Sequence, residues 1–330
     1  MREFMPALSR SVSLAVLAAL VLPVVAQPGL AREISTAPAE VSKNPLGGKQ
    51  GIFASEVTPG DDKEHAAERK EIETLLNSIE REWNAHNLDG VLSYYADDYI
   101  NNDGLDKKAV GALTQDFWKT YPDAKSNSTI KSIRVEGPFV TVESQDAADG
   151  TTAKEMPGIG GKGELSSISE GQLYVKKVGP NWKIIGDRID YERVRVAFGI
   201  AKQVPASFSA PDQVKFGNQY SARLELNLPT GLAAVGSITA QPLQYPQPQP
   251  TDAWRPMENP ILERVMNANT KNRNELLMAT VGITNAARNS LMGIAFYTRR
   301  LNVVPKMEIE SDTTKVTANA STVIPRDDSK

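Results

Sequence analysis

Apolar residues recur with a helical period between Ile72 and Trp83, and polar residues occupy the intervening positions. The spacing of i, i+3, i+4, i+7 and i+11 gives one apolar stripe, which predicts an amphipathic helix with a single buried face. Two further helices are predicted over residues 88–95 and 106–121, the second with Asp106 as its N-cap. The stripe of the first helix consists of Ile72, Leu75, Leu76, Ile79 and Trp83.

The pattern after the third helix changes to a period of two and becomes rich in β-branched and aromatic residues, which predicts strands. Gly179-Pro180-Asn181 predicts the turn of a hairpin. Residues 147–163 are rich in glycine and predict a mobile loop between strands. The strands predicted in this region are residues 129–135, 139–145, 169–178 and 182–195.

A second series of strand patterns begins after Pro205 and predicts a small, mainly-β domain of the sandwich type. A short helix is predicted over residues 261–269, and the proline-spaced residues 241–250 are expected to be extended. The strands predicted here are residues 219–228, 232–239, 275–284 and 291–304. The domain division that follows is a leader over 1–31, a flexible linker over 32–62, domains over 63–204 and 205–310, and a disordered tail over 311–330.

The first 31 residues have the pattern of an export signal, with Arg2 and Arg10 around the amino-terminal region and an apolar stretch over residues 12–25. Small residues provide cleavage sites after Ala26 and after Ala31. We therefore expect an exported protein of the periplasm or a thylakoid lumen, with no transmembrane segment in the mature chain.

The composition excludes several classes of function. The chain has 330 residues, with 37 Lys and Arg against 40 Asp and Glu, and its net charge of −3 gives no basic surface for nucleic acid. With no Cys, it cannot form a thiolate metal site or a disulfide framework. Its two His do not form a zinc motif of the H-E-x-x-H type. We predict no metal and no cofactor.

Three phrases carry a resemblance to a known superfamily: EREWNAHNLDGVLSYYADDYINNDG from Glu80, DFWKTYPD from Asp116, and GQLYVKKVGPNWKIIGDRIDYE from Gly171. Residues 65–200 resemble the nuclear transport factor 2-like (SnoaL-like) superfamily. The resemblance implies an α+β fold in which three helices pack in a curved antiparallel sheet, forming a cone with an apolar pocket, followed here by the mainly-β domain. The phrases NELLMATVGIT and RRLNVVPK resemble exported cyanobacterial proteins that join this fold to an uncharacterised second domain.

The ketosteroid isomerase branch of the superfamily is similar at residues 96–98, and the match implies Asp103 as the catalytic general base. The same match places the tyrosine of the branch, which donates a hydrogen bond to the oxyanion, on Ile79, which cannot donate one. Asp103 also suits a structural turn over residues 101–104, which ends in glycine. His86 suits proton transfer, or an interaction with the dipole at the end of the first helix.

Aromatic residues in the same region could line a ligand pocket or fill the core. In the second half, five arginines indicate either a surface for an acidic partner or a glycan, or an ordinary solvated face. The aromatic set is Trp83, Tyr94, Tyr95, Tyr99, Trp118 and Tyr174, and the arginines are Arg255, Arg264, Arg273, Arg299 and Arg300.

Three hypotheses follow. The leading one is an exported, non-catalytic protein that binds a small apolar ligand or a protein partner, with the C-terminal domain extending the interaction. The second is an isomerase, cyclase or dehydratase that uses Asp103, with His86 as a second proton carrier. The third is a homodimer or assembly domain whose pocket is filled by its own side chains.

Overall fold

The computed structural model describes residues 65–305 except 245, 246, 248–253, 258 and 272. The predicted leader, linker and tail lie outside the described residues, as does part of the proline-spaced segment. Within the described ranges, no helix is long and apolar enough to cross a membrane. The helices are α1 Ala66–Asn84, α2 Leu88–Ser93 and α3 Lys107–Thr120, with a short 3-10 turn at Ile200–Lys202.

The amphipathic pattern of the first helix is confirmed. Ile72, Leu76, Ile79 and Trp83 are buried along one face of α1. The N-cap of α3 is also confirmed, because the Asp106 carboxylate accepts a hydrogen bond of 2.7 Å from the backbone N–H three residues further on.

The described strands form a nine-stranded sheet and a three-stranded sheet. The large sheet has the order β1-β2-β3-β4-β12-β11-β8-β9, with β6 added parallel to β12, and the small sheet has the order β10-β7-β5. The strands are β1 Lys125–Glu136, β2 Phe139–Glu155, β3 Lys162–Val178, β4 Asn181–Gly199, β5 Ala206–Ser209, β6 Gln213–Lys215, β7 Gln219–Leu226, β8 Leu232–Pro242, β9 Arg255–Met257, β10 Ile261–Asn267, β11 Glu275–Asn285 and β12 Leu291–Val304.

The predicted fold class, an α+β cone of three helices in a curved sheet followed by a small β-sandwich domain, is wrong. The described part of the chain is mostly β, with 56% of its residues in strands and 18% in helices, and one large, mainly antiparallel sheet runs through both halves. The physical reason is that residues 193–199 of β4 pair with residues 293–299 of β12. Because β12 is buried on both faces from Gly293 to Leu301, it needs a strand on each edge, and β4 supplies one of them.

Two local predictions are also corrected. The helix expected over residues 261–269 is strand β10, in which Ile261, Glu263 and Val265 alternate with residues that face the protein. The loop expected over 147–163 is mostly paired strand, since β2 and β3 continue to a turn over residues 156–161. The glycine-rich composition marks that turn, where Gly158, Gly160 and Gly161 have positive φ.

The large sheet has two faces with different coverings. The face of β1–β4 that shares a core with α1 and α3 is called the inner face, and it includes Val142, Leu173 and Val194. The opposite, outer face contributes to a second core, in which Leu224 of the small sheet belongs to the same cluster as Leu277 of β11 and residues of β4, β8 and β12.

Two β-bulges on β4 change which of its residues face inward. The register shifts leave Ile185 and Asp190 without a direct partner on β3. As a result Ile184, Asp187 and Glu192 all lie on the inner face, although regular alternation would separate them. The residues between the two bulges therefore change face, and Asp187 points into the protein, whereas Glu192 stays in phase with Ile184.

Candidate ligand-binding site

A band of polar side chains crosses the inner face of the sheet. Ser128 of β1, Asp146 of β2, Ser169 of β3 and Glu192 of β4 are successive register partners and therefore share one face. Asp146, Ser169 and Glu192 are only 7%, 8% and 3% exposed. Buried polar groups need hydrogen-bond partners, so hydrophobic packing alone does not account for these residues in the core.

The band continues onto β12 through an ion pair with the predicted catalytic base. Arg300 is 1% exposed, and its Nη1 and Nη2 donate to Oδ2 and Oδ1 of Asp103, both at 2.8 Å. Asn274 Nδ2 donates to Asp103 Oδ1 at 3.0 Å, and Arg300 Nε donates to Asn302 Oδ1 at 2.7 Å. Asp103 is thus held by donors from β12 and from the residue preceding β11.

The turn predicted around Asp103 is present. The Asn101 side-chain oxygen accepts hydrogen bonds from the backbone N–H groups of Asp103 and Leu105 at 3.0 and 2.9 Å. Gly104 follows with φ +79°. This local geometry aims the Asp103 carboxylate at Arg300.

Several acidic groups surround the single guanidinium of Arg300. Burial alone would lower the pKa of Arg300, but the Asp103 carboxylate, with Glu192 and Asp187 further away, raises it above its ordinary value. Asp187 is 2% exposed and accepts a hydrogen bond from the Tyr99 hydroxyl. The cluster therefore connects the segment after α2 to β4 and β12 by charge and hydrogen bonds.

Tyr95 and Tyr99 form the aromatic wall beside this cluster. Their rings meet edge to face with centroids 4.8 Å apart, and both are almost fully buried. Burial first, and then the charge of Asp187, raise the pKa of Tyr99 far above that of a free tyrosine. Its hydroxyl therefore remains a hydrogen-bond donor.

Tyr99→Phe is expected to lower the free energy of unfolding by about 1–3 kcal/mol, because it removes a donor from a buried carboxylate. Urea denaturation followed by circular dichroism measures the change. Tyr174→Phe is the matched control: Tyr174 also donates to a side chain, Gln172 Oε1 at 3.1 Å, but it is only partly buried, on the outer face. Equal losses for the two variants would contradict the role assigned to Tyr99.

A second aromatic group lies at the carboxyl end of α1. The rings of Trp83 and Trp118 are 5.7 Å apart, and His86 stacks on Trp118 at 4.8 Å. Trp83 and Trp118 are 1% and 7% exposed, and within the described part of the chain neither indole N–H has a hydrogen-bond partner.

His86 ends α1 in a left-handed conformation with φ +56°. Its backbone N–H donates to the Trp83 carbonyl and that of Asn87 donates to the Glu82 carbonyl, which is the Schellman arrangement. The imidazole Nε2 lies 3.2 Å from the Ala124 carbonyl oxygen. His86 is therefore part of the Trp83–Trp118 group.

The remaining aromatic candidates are separated from these groups. Tyr94 caps the end of α2 and is partly buried against the core. Tyr174 lies on the outer face, since it alternates with the buried Leu173 and Val175. The structure thus pairs Trp83 with Trp118 and Tyr95 with Tyr99, and it places Tyr174 elsewhere.

The inward carboxylates and the role of Arg300 were not predicted from the sequence. For Asp146 and Glu192 a signal existed, because each continues the alternation of buried residues on its own strand, such as Val140, Val142 and Ala148 on β2. For Asp187 the signal was hidden by a bulge. Among the described residues, no group of three or more His, Asp or Glu side chains is placed to hold a metal ion.

No protein-family model matches the chain, and no curated protein matches it either. Among solved structures, a putative scytalone dehydratase from Novosphingobium aromaticivorans is 17% identical over 38% of this chain and 84% of its own, with a TM-score of 0.33. A type 2 hexachlorocyclohexane dehydrochlorinase (LinA) is 15% identical over 40% of this chain and 90% of its own, with a TM-score of 0.33. Bd1075 of Bdellovibrio bacteriovorus is 15% identical, with a TM-score of 0.31, and the match covers 38% of this chain and 41% of that protein. At these identities and TM-scores the likeness assigns this chain no activity.

Proposed function

We propose that this protein binds a small molecule in its interior, between α1, α3 and the inner face of β1–β4. The observation that carries the proposal is the polar band of the half-buried Ser128 and the buried Asp146, Ser169 and Glu192, on a face that otherwise packs as core. The band gives the interior a row of polar groups among apolar side chains, and ligand pockets combine an apolar lining with a few polar groups of this kind.

Three buried groups support the same location. The indole N–H groups of Trp83 and Trp118 and the hydroxyl of Ser128 have no hydrogen-bond partner in the described part of the protein. Each such group costs about 1–3 kcal/mol when it stays unsatisfied. A ligand with an apolar ring and at least one acceptor would pack against the aromatic side chains and satisfy these donors.

The contacts of Asp103 support binding rather than catalysis. A general base must offer an oxygen to the proton that it removes. Asp103 instead accepts two hydrogen bonds from Arg300 and one from Asn274. We assign Asp103 a structural role that ties its turn to the second half of the sheet. The leader pattern supports binding outside the cytoplasm, in a periplasm or lumen.

Native mass spectrometry of the full chain, purified from the cells that express it, tests the proposal. We expect a small-molecule adduct on the protein. Trp83→Phe keeps an aromatic side chain but replaces the indole and its N–H by a phenyl ring, and Ser128→Ala removes the hydroxyl. Each is expected to weaken retention of the adduct by about fivefold to tenfold. Tyr174→Phe on the outer face serves as the matched control and is expected to retain it.

A protein without adduct that is a homodimer would favour assembly through its outer face and would contradict ligand binding. An adduct retained equally by Trp83→Phe, Ser128→Ala and the control would place the ligand elsewhere and contradict the proposed location.

A further inference from the structure

Two arginines face each other on the outer face, where β4 meets β12. Arg193 and Arg299 are direct register partners. Both lie over the ring of Tyr191, with the guanidinium carbons 4.6 Å and 5.9 Å from its centroid. Like charges directly opposite each other on neighbouring strands destabilise a sheet, so this pair requires an explanation.

Arg299 is held in place but is not fully satisfied. It is 3% exposed, its Nη1 donates to the Phe208 carbonyl at 3.2 Å, and its Nη2 pairs with Asp212. Its Nε is buried and, among the described residues, has no hydrogen-bond partner. Burial, and then the charge of Arg193, lower the pKa of Arg299, which agrees with the two cations being close.

Arg193 is exposed, and no described carboxylate pairs with it. The acidic residues nearby have cations of their own: Asp190 pairs with Arg188 and Glu170 pairs with Lys131. Asp212 therefore balances only one of the two guanidinium charges at Tyr191.

We propose that Arg193 and Arg299 form a binding site for an oxyanion, a phosphoryl or carboxylate group, on the outer face beside Tyr191. Guanidinium groups bind such planar or tetrahedral oxyanions through paired N–H donors. An anion there would accept from the Arg299 Nε, relieve the repulsion between the arginines, and rest against the edge of the tyrosine ring. The site is on the opposite face from the proposed interior ligand and is independent of it.

Isothermal titration calorimetry of the full chain, with sodium phosphate and with sodium acetate at constant ionic strength, tests the proposal. We expect saturable binding of at least one anion. Arg193→Gln is the informative variant because Arg193 is exposed, and it is expected to weaken binding about tenfold or more. Arg134→Gln is the matched control, because Arg134 is an exposed arginine on β1 paired with Glu136, and we expect unchanged affinity.

Phosphate binding that depends on Arg193 would identify a phosphoryl ligand, and acetate binding with the same dependence would identify a carboxylate. Without anion, Arg193→Gln is expected to be at least as stable as the native chain, since it removes a like-charge contact. Absence of saturable binding for both anions, or equal affinities for the native chain and Arg193→Gln, would overturn the proposal.

Discussion

Arg300→Met is expected to lower the free energy of unfolding by about 3–5 kcal/mol, because it leaves buried carboxylates without their cation. Asp103 loses two hydrogen bonds of 2.8 Å, and Glu192 and Asp187 lose the nearby positive charge. Urea denaturation at neutral pH measures the loss. The loss is expected to shrink as the pH falls, since the variant's carboxylates can then be buried in neutral form, and folding takes up protons.

The control for this variant is Arg134→Met on the surface of β1, which is expected to change stability by less than about 0.5 kcal/mol. Asp103→Leu combined with Arg300→Met is expected to recover part of the loss, because an apolar pair replaces a charge left alone. A loss below about 1 kcal/mol for Arg300→Met alone would show that the ion pair does not hold the two halves of the sheet together.

Gly293→Ala is expected to lower the free energy of unfolding by about 3 kcal/mol, at the upper end for an inserted methyl group. A β-carbon at this position would lie 2.5 Å from the Ala201 nitrogen and 2.9 Å from the Phe198 carbonyl oxygen, which are both backbone atoms. The clash can be relieved only by moving β12 away from β4 and the turn that follows it. Thermal and urea denaturation measure the change.

Gly236→Ala on β8 is the matched control, because its added β-carbon would meet the ends of two flexible side chains, Met257 Sδ at 3.0 Å and Leu262 Cδ2 at 3.1 Å. It is expected to cost clearly less than Gly293→Ala. If both glycine variants lose the same stability, the junction between β4 and β12 is not closely packed.

Helices could be predicted from the sequence because their signals are local. The stripe from Ile72 to Trp83 and the N-cap at Asp106 depend on residues within a few positions of each other. Strand β10 was wrongly predicted to be a helix, because seven residues with mixed apolar and charged side chains fit both the helical period of 3.6 and the strand period of two. Its pairing with β7, over residues 219–225, decides the structure.

The fold class could not be predicted because it depends on a distant pairing. β4 and β12 meet about a hundred residues apart in sequence, and nothing near either strand indicates that partner. The same holds for the site, where Asp103 and Arg300 are separated by 197 positions. Bulges at Ile185 and Asp190 also interrupt the alternation along β4, so the sequence pattern does not indicate that Asp187 faces inward.

The indole N–H signals in a nitrogen-15 NMR spectrum test the interior binding site most directly. The chain has four tryptophans, of which Trp182 donates to Glu71 at 2.7 Å and Trp254 is 42% exposed. We compare the protein as purified from cells with the same protein after unfolding, dialysis and refolding, which removes a bound small molecule. If a ligand occupies the interior, we expect the signals of Trp83 and Trp118 to shift while those of Trp182 and Trp254 stay in place. Identical positions for all four signals in both preparations would contradict binding in the interior.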